Sequence, residues 1–166
     1  MIKHAQSLVK LAAVCAIAAA LSACATATTT VLAPASTAQA HTFSTIQIQS
    51  NGDTVTVPPE ARAHFEKRLN EYLFAQNSRF KQGDDLTIRY RFIQFDEGSR
   101  ALRYIVGFGA GKGTMTVEVT FLDKQQKELA KINVGGELNM GFFGGDFDEA
   151  ISRAAREAAD YAQKSF

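Results

Sequence analysis

Apolar and polar residues alternate along much of the second half of the chain. Leu86, Ile88, Tyr90 and Phe92 take turns with Thr87, Arg89 and Arg91, the pattern of a strand with one buried face. Ile93 and Phe95 then change parity, which calls for a bulge near Phe92–Ile93 or burial of both faces at the strand end. Met115, Val117, Val119 and Phe121 form the next apolar row, with Thr116, Glu118 and Thr120 facing away. A polar turn at Asp123-Lys124-Gln125-Gln126-Lys127 leads to a returning strand through Ala130, Ile132, Val134 and Leu138. Upstream, Thr45–Gln49 alternates as a short strand. Asn51-Gly52 marks a turn, and Thr54–Val57 is expected to pair back across it as a hairpin.

Helical spacing appears twice. Pro58-Pro59-Glu60 suits a helix start, because proline is tolerated in the first turn and an acid favours the positive end of the dipole. Phe65, Leu69, Tyr72 and Leu73 follow on one face. His64 lies beside that face, and without a second histidine or cysteine suitably spaced it reads as a partly exposed helix residue rather than a ligand. Asp146 and Glu149 form a capping-box arrangement for a second helix, whose apolar face runs through Phe147, Ile151, Ala154, Ala155, Ala158 and Tyr161. These elements predict an α+β domain over residues 43–166. The expected architecture is a two-layer sandwich, a mostly antiparallel sheet of about four to five strands carrying both helices on one face.

The N-terminus has a different texture. Residues 1–10 carry Lys3 and Lys10 and no acid, and an apolar, alanine-rich run follows from Leu11 to Ala23. At about 13 residues that run is shorter than the roughly 20 a spanning helix needs. With its basic start it reads as an export signal over residues 1–23. Leu21-Ser22-Ala23-Cys24 resembles a bacterial lipobox, with Cys24 as the lipidated mature N-terminus. Ordinary cleavage is the rival, after Ala25-Thr26-Ala27 or after Ala38-Gln39-Ala40. Residues 24–42 would then be the lipidated cysteine and a flexible tether, spanning on the order of 25 Å as a coil. Ala25 stands where an aspartate would argue for inner-membrane retention, so the expected location is the periplasmic face of the outer membrane.

Charge and cysteine usage narrow the partners. The whole chain has 18 basic and 17 acidic side chains, and removing Lys3 and Lys10 with the signal leaves near-neutrality. Such a balance exerts no long-range pull on nucleic acid. Cys15 leaves with the signal, so the mature chain is expected to have neither disulfide nor cysteine metal site, and no cofactor is called for.

The segment Ile105-Val106-Gly107-Phe108-Gly109-Ala110-Gly111-Lys112-Gly113-Thr114 resembles a phosphate loop at first sight. The spacing fails. Val106 stands where the P-loop needs its first glycine, Gly113 replaces the magnesium-holding hydroxyl, and Lys112 replaces the third glycine of a dinucleotide fingerprint. A strand, not a helix, is expected to follow, so no helix dipole would face the loop. No nucleotide is expected. A glycine bend is the plainest role. The candidate interaction loop comprises Arg100, Arg103, Tyr104, Gly107, Phe108, Gly109, Gly111 and Lys112, which would suit a protein surface or an anion. Phe142 and Phe143, between glycines ahead of the last helix, offer a second contact or a core plug. No catalytic motif is present: neither G-x-S-x-G nor H-E-x-x-H occurs, and no histidine has triad neighbours. Asp84-Asp85 and Asp96-Glu97 read as solvated strand ends.

The lipobox cysteine, Arg103-Tyr104 ahead of Gly107-Phe108-Gly109-Ala110-Gly111, the Thr116–Asp123 strand and the closing alanine-rich helix together resemble a known group. They are similar to bacterial lipoproteins of the domain of unknown function 4410 family, over roughly residues 43–166. The resemblance implies an envelope location and a two-layer α/β domain, and it brings no catalytic residues. The expected role is a membrane-anchored, non-enzymatic module that contacts an unidentified envelope protein or itself. The alternative is a periplasmic small-molecule or anion binder built on the glycine loop and its flanking Arg100, Arg103 and Lys112.

Overall fold

The computed structural model describes residues 26–35, 42–96, 113–138 and 147–166. Their strands are β1 (Thr26–Ala33), β2 (Thr45–Ser50), β3 (Lys81–Gln82), β4 (Leu86–Asp96), β5 (Gly113–Asp123) and β6 (Glu128–Leu138). The helices are α1 (Pro59–Leu73) and α2 (Phe147–Ser165). All six strands join one sheet in the order β1-β6-β5-β4-β2-β3.

The period-2 rows meet as their parity demands. Ile88 lies opposite Phe121, Tyr90 opposite Val119 and Phe92 opposite Val117, while Val117 and Val119 face Val134 and Ile132 on β6. These side chains share one face and are withdrawn from water. Both helices lie on that face. Phe65 of α1 packs its ring 5.1 Å from Tyr90 and 5.6 Å from Phe92, and Tyr161 of α2 sits 5.2 Å from Phe121. Burying such a side chain is worth about 2–3 kcal/mol, so these aromatic contacts add directly to the adhesion of the helices to the sheet. On α2 the buried stripe of Ala154, Ala155, Ala158, Ala159 and Ala162 puts little bulk between the helix and its support. The expected bulge is present, as a register shift between Phe92 and Gln94 that displaces Ile93.

Three expectations need correction. The sheet has six strands rather than four to five, and it is mixed: β1, β6, β5 and β4 pair antiparallel, whereas β2 runs parallel to both β4 and β3. Thr54–Val57 forms no hairpin with β2. Ile46 and Ile48 instead line up beside Leu86 and Ile88, a pairing that sequence-local reasoning misses because its partner lies about 40 residues on. Where β2 ends, the loop continues along β4 in its place. The amide of Asn51 donates to the Tyr90 carbonyl (2.8 Å), that of Thr54 to the Phe92 carbonyl (3.0 Å), and the Asp53 carboxylate accepts the Phe92 amide (2.9 Å).

The third correction concerns the tether. Residues 26–33, inside the span expected to be flexible, form β1, antiparallel to β6 from Thr26 opposite Glu137 to Ala33 opposite Lys131. The free edge of β6 explains it, since an unpaired strand edge recruits extended chain whatever its side chains. Two contacts with α2 hold the strand in place: Thr29 Oγ1 donates to Glu157 (2.9 Å), and the Ala35 amide donates to the Tyr161 hydroxyl (3.2 Å).

The β5–β6 turn forms as anticipated. Asp123 Oδ1 accepts the amides of Gln125 and Lys127, both at 2.9 Å, and Gln126 takes the left-handed conformation. Asp85 is more than a solvated end. Lys124 Nζ reaches its Oδ1 at 2.9 Å, and Thr45 Oγ1 donates to its Oδ2 at 2.7 Å. The Lys124 bond first, then the Thr45 hydroxyl, hold its carboxyl below the usual aspartate value. A depressed folded pKa stabilises the fold above the unfolded value of about 3.9 and loses that contribution as pH falls through the lower folded value. Two-dimensional NMR titration should therefore show Asp85 titrating below ordinary aspartates. Asp85→Asn should flatten the acid limb of the stability curve, and an ordinary midpoint for Asp85 would refute the assignment.

Candidate functional site

Every residue of the expected interaction loop (Arg100, Arg103, Tyr104, Gly107, Phe108, Gly109, Gly111 and Lys112) lies outside the described residues, as do Phe142, Phe143, Cys24 and the capping Asp146. The elements beside them are defined. β5 opens at Gly113, so a strand does follow Lys112.

Among the described residues, polar chemistry converges instead between the helices. The outward sides of α1 and α2 enclose a groove of about 530 Å³, with Arg68 and Tyr72 on one wall and Asp148, Glu149, Ser152, Arg153, Arg156 and Glu157 on the other. Arg68 and Tyr72 are four residues apart and so share a helix face. Two guanidinium groups lie over the Tyr72 ring, Arg68 at 4.9 Å from its centroid and Arg156 at 5.0 Å. Each such contact is worth about 0.5–1 kcal/mol at an exposed site. The Tyr72 oxygen accepts from Arg68 Nη2 at 2.6 Å and from Arg156 Nη2 at 3.4 Å. That bond to Tyr72 is the first cause raising the Arg156 pKa.

Tyr72 keeps its expected place against the apolar face but is only half-buried, while Ala61 joins Phe65, Leu69 and Leu73 as the buried stripe. His64 is partly exposed, as expected, and has its Nε2 2.9 Å from Ser152 Oγ. Ser152 Oγ in turn donates to the Asp148 carbonyl at 2.8 Å, so His64 Nε2 is the donor in their bond. No motif announces this cluster. Its only trace in the sequence is the i, i+4 spacing of Arg68 with Tyr72 and of Ser152 with Arg156.

Two further surfaces stand out. The sheet face away from the helices carries polar side chains, including the cross-strand ion pair of Arg91 with Glu118 (2.8 Å). The outer edge of β1 has no strand partner among the described residues, and beside it Val31 and Leu32 are 47% and 51% exposed. The opposite edge is closed off differently. β3 is two residues long and begins with a lysine. Among the described residues no cluster of histidine, cysteine and acidic side chains is arranged to hold a metal, and no helix is long and apolar enough to cross a membrane.

Comparison with known proteins adds one family and one fold. The sequence model of the family described as domain of unknown function (DUF4410) matches residues 38–141. No curated protein matches. Among solved structures, a PelC dodecamer from Paraburkholderia phytofirmans is similar at a TM-score of 0.56 and 10% identity, covering 84% of this chain and 99% of that one. A point variant of the same protein, also a dodecamer, gives 0.56 and 10% over 83% of this chain and 98% of that one. At that identity the likeness is one of fold.

Proposed function

We propose that this chain, which belongs to the DUF4410 family, is a lipid-anchored envelope protein that acts by assembling with copies of itself rather than by catalysis. The outer edge of β1 carries the reading. Thr26–Ala33 is eight residues long, contains neither charge nor proline, and leaves Val31 and Leu32 exposed beside a backbone edge that no strand pairs among the described residues. Soluble proteins ordinarily blunt such an edge with lysine, proline or a short strand. This chain does so at β3 and not at β1. The dodecamers formed by the PelC proteins of similar fold support self-association. The lipobox at Cys24 and the lack of nucleophile or metal motifs in the sequence support the anchored, non-enzymatic part.

One experiment separates the two parts. Expressed in a bacterium with two membranes, the chain should take up a clickable fatty acid and sediment as a multimer after detergent extraction. Cys24→Ala should lose the label and accumulate as precursor, or be cut after Ala27 or Ala40. The double change Val31→Lys and Leu32→Lys, at exposed positions, should keep the label and shift the multimer to monomer. An unlabelled native chain beginning at Thr28 or His41 would refute the anchor. A lysine double variant that stays multimeric would refute the β1 edge as the contact.

A further inference from the structure

The groove between α1 and α2 holds more hydrogen-bond donors than its own acceptors satisfy. The Tyr72 oxygen already accepts from both Arg68 and Arg156, so its own O–H must donate elsewhere, and no acceptor for it exists among the described residues. Arg156 has no carboxylate within ion-pair distance among the described residues, and its guanidinium donates to no acceptor there besides the Tyr72 oxygen. Behind them Arg68 Nε is shut away from water without a partner. The buried Arg68 Nε costs about 1–3 kcal/mol as an unmade donor. The half-buried Tyr72 O–H and the exposed Arg156 guanidinium, which water also reaches, are the donors open to an incoming acceptor.

The nearby carboxylates are already engaged. Glu71 binds Arg68, Glu149 binds Arg153, and Glu157 accepts from Thr29, while Asp148 completes the acidic side of the lining. Their charge still matters to a ligand. Glu157 and Asp160 act on Arg156 at longer range and would oppose a doubly charged guest.

We infer that this groove binds a singly charged carboxylate, received by the Arg156 guanidinium and the Tyr72 O–H. A guanidinium meets a planar carboxylate with two parallel N–H groups, a match that a point charge cannot reproduce. The site differs from the β1 edge in residues and in chemistry, and it stands whether or not the chain self-associates.

Isothermal titration of the full chain, purified in detergent at low ionic strength, tests it with acetate, D-glucuronate and inorganic phosphate as probes. The carboxylates should bind more tightly than phosphate at a pH where phosphate is mostly dianionic. Glucuronate binding more tightly than acetate identifies an acidic sugar as the source, and equal binding identifies a bare carboxylate; both support the site. Tyr72→Phe keeps the ring beneath its two guanidinium groups and removes only the O–H, and it should weaken binding at least tenfold. Arg156→Gln should do the same, while Lys164→Gln, at the far end of α2, should leave it unchanged. Absence of binding at millimolar probe, or wild-type affinity in both Tyr72→Phe and Arg156→Gln, would overturn the inference.

Discussion

Gly135→Ala should destabilise the fold by at least about 3 kcal/mol, lowering the melting temperature by roughly 10 °C. Gly135 lies on β6 opposite Thr116, and a Cβ built there would stand 2.3 Å from the Met115 carbonyl oxygen and 3.1 Å from Thr116 Cα. Both obstacles are backbone. No rotamer change can clear them, so either β5 and β6 separate or the ladder shifts register. Gly52 supplies the contrast. It adopts a positive φ of 69°, and a methyl group added there would have nothing within 4 Å of it, so Gly52→Ala should cost only the left-handed penalty of about 1–2 kcal/mol. Urea denaturation of the two variants side by side measures the difference. Equal losses would mean that β5 and β6 do not approach as closely as described.

Asp53→Ala should cost about 3 kcal/mol. Its side chain is only 5% exposed and is surrounded by donors. Oδ2 accepts from Arg62 Nε at 2.8 Å and from Arg62 Nη2, and Oδ1 accepts the Phe92 amide at 2.9 Å. In effect this carboxylate stands in for the carbonyl of a strand that β2 is too short to supply. Removing it orphans a backbone N–H on β4 and leaves Arg62 of α1 without its counter-charge, so the loss exceeds that of a surface ion pair. Asp53→Asn retains one acceptor and should fall between. Because the carboxylate is largely withdrawn from water, the loss should change little between low and moderate salt. A loss under about 1 kcal/mol that vanished in salt would mark the contact as a surface pair instead.

Asp53 also shows where reading the sequence stops. An aspartate one residue after Asn51-Gly52 reads as turn chemistry, and nothing local reveals that β4 lies within reach of it. The β5–β6 hairpin and both helices were legible because their periodicity is contained within each segment. The bulge at Ile93 was legible for the same reason, as a change of parity. β1 was not: TATTTVLA has no alternation, and its extended form is imposed by the open edge of β6. The parallel seating of β2 was hidden too, since it depends on a partner beyond α1. The groove draws its arginines from two helices far apart in sequence, so Arg68 and Arg156 meet only once both helices lie on the sheet. The glycine-rich loop stood out in composition, yet its residues lie outside those described.

The early start of β1 changes what a lipid at Cys24 would do. Only Ala25 separates that cysteine from Thr26, the first residue paired to β6, so the link is at most about 7 Å even when fully extended. A molecule mounted so closely cannot tumble freely above its bilayer. Copies on one leaflet would share height and tilt, and they would meet by lateral diffusion alone. Much of the rotational freedom normally lost on association would already be gone. Confinement to a plane would also raise the effective concentration of one sheet edge for the next. An edge contact strong enough to survive detergent extraction would then assemble on the membrane at a far lower copy number than in solution.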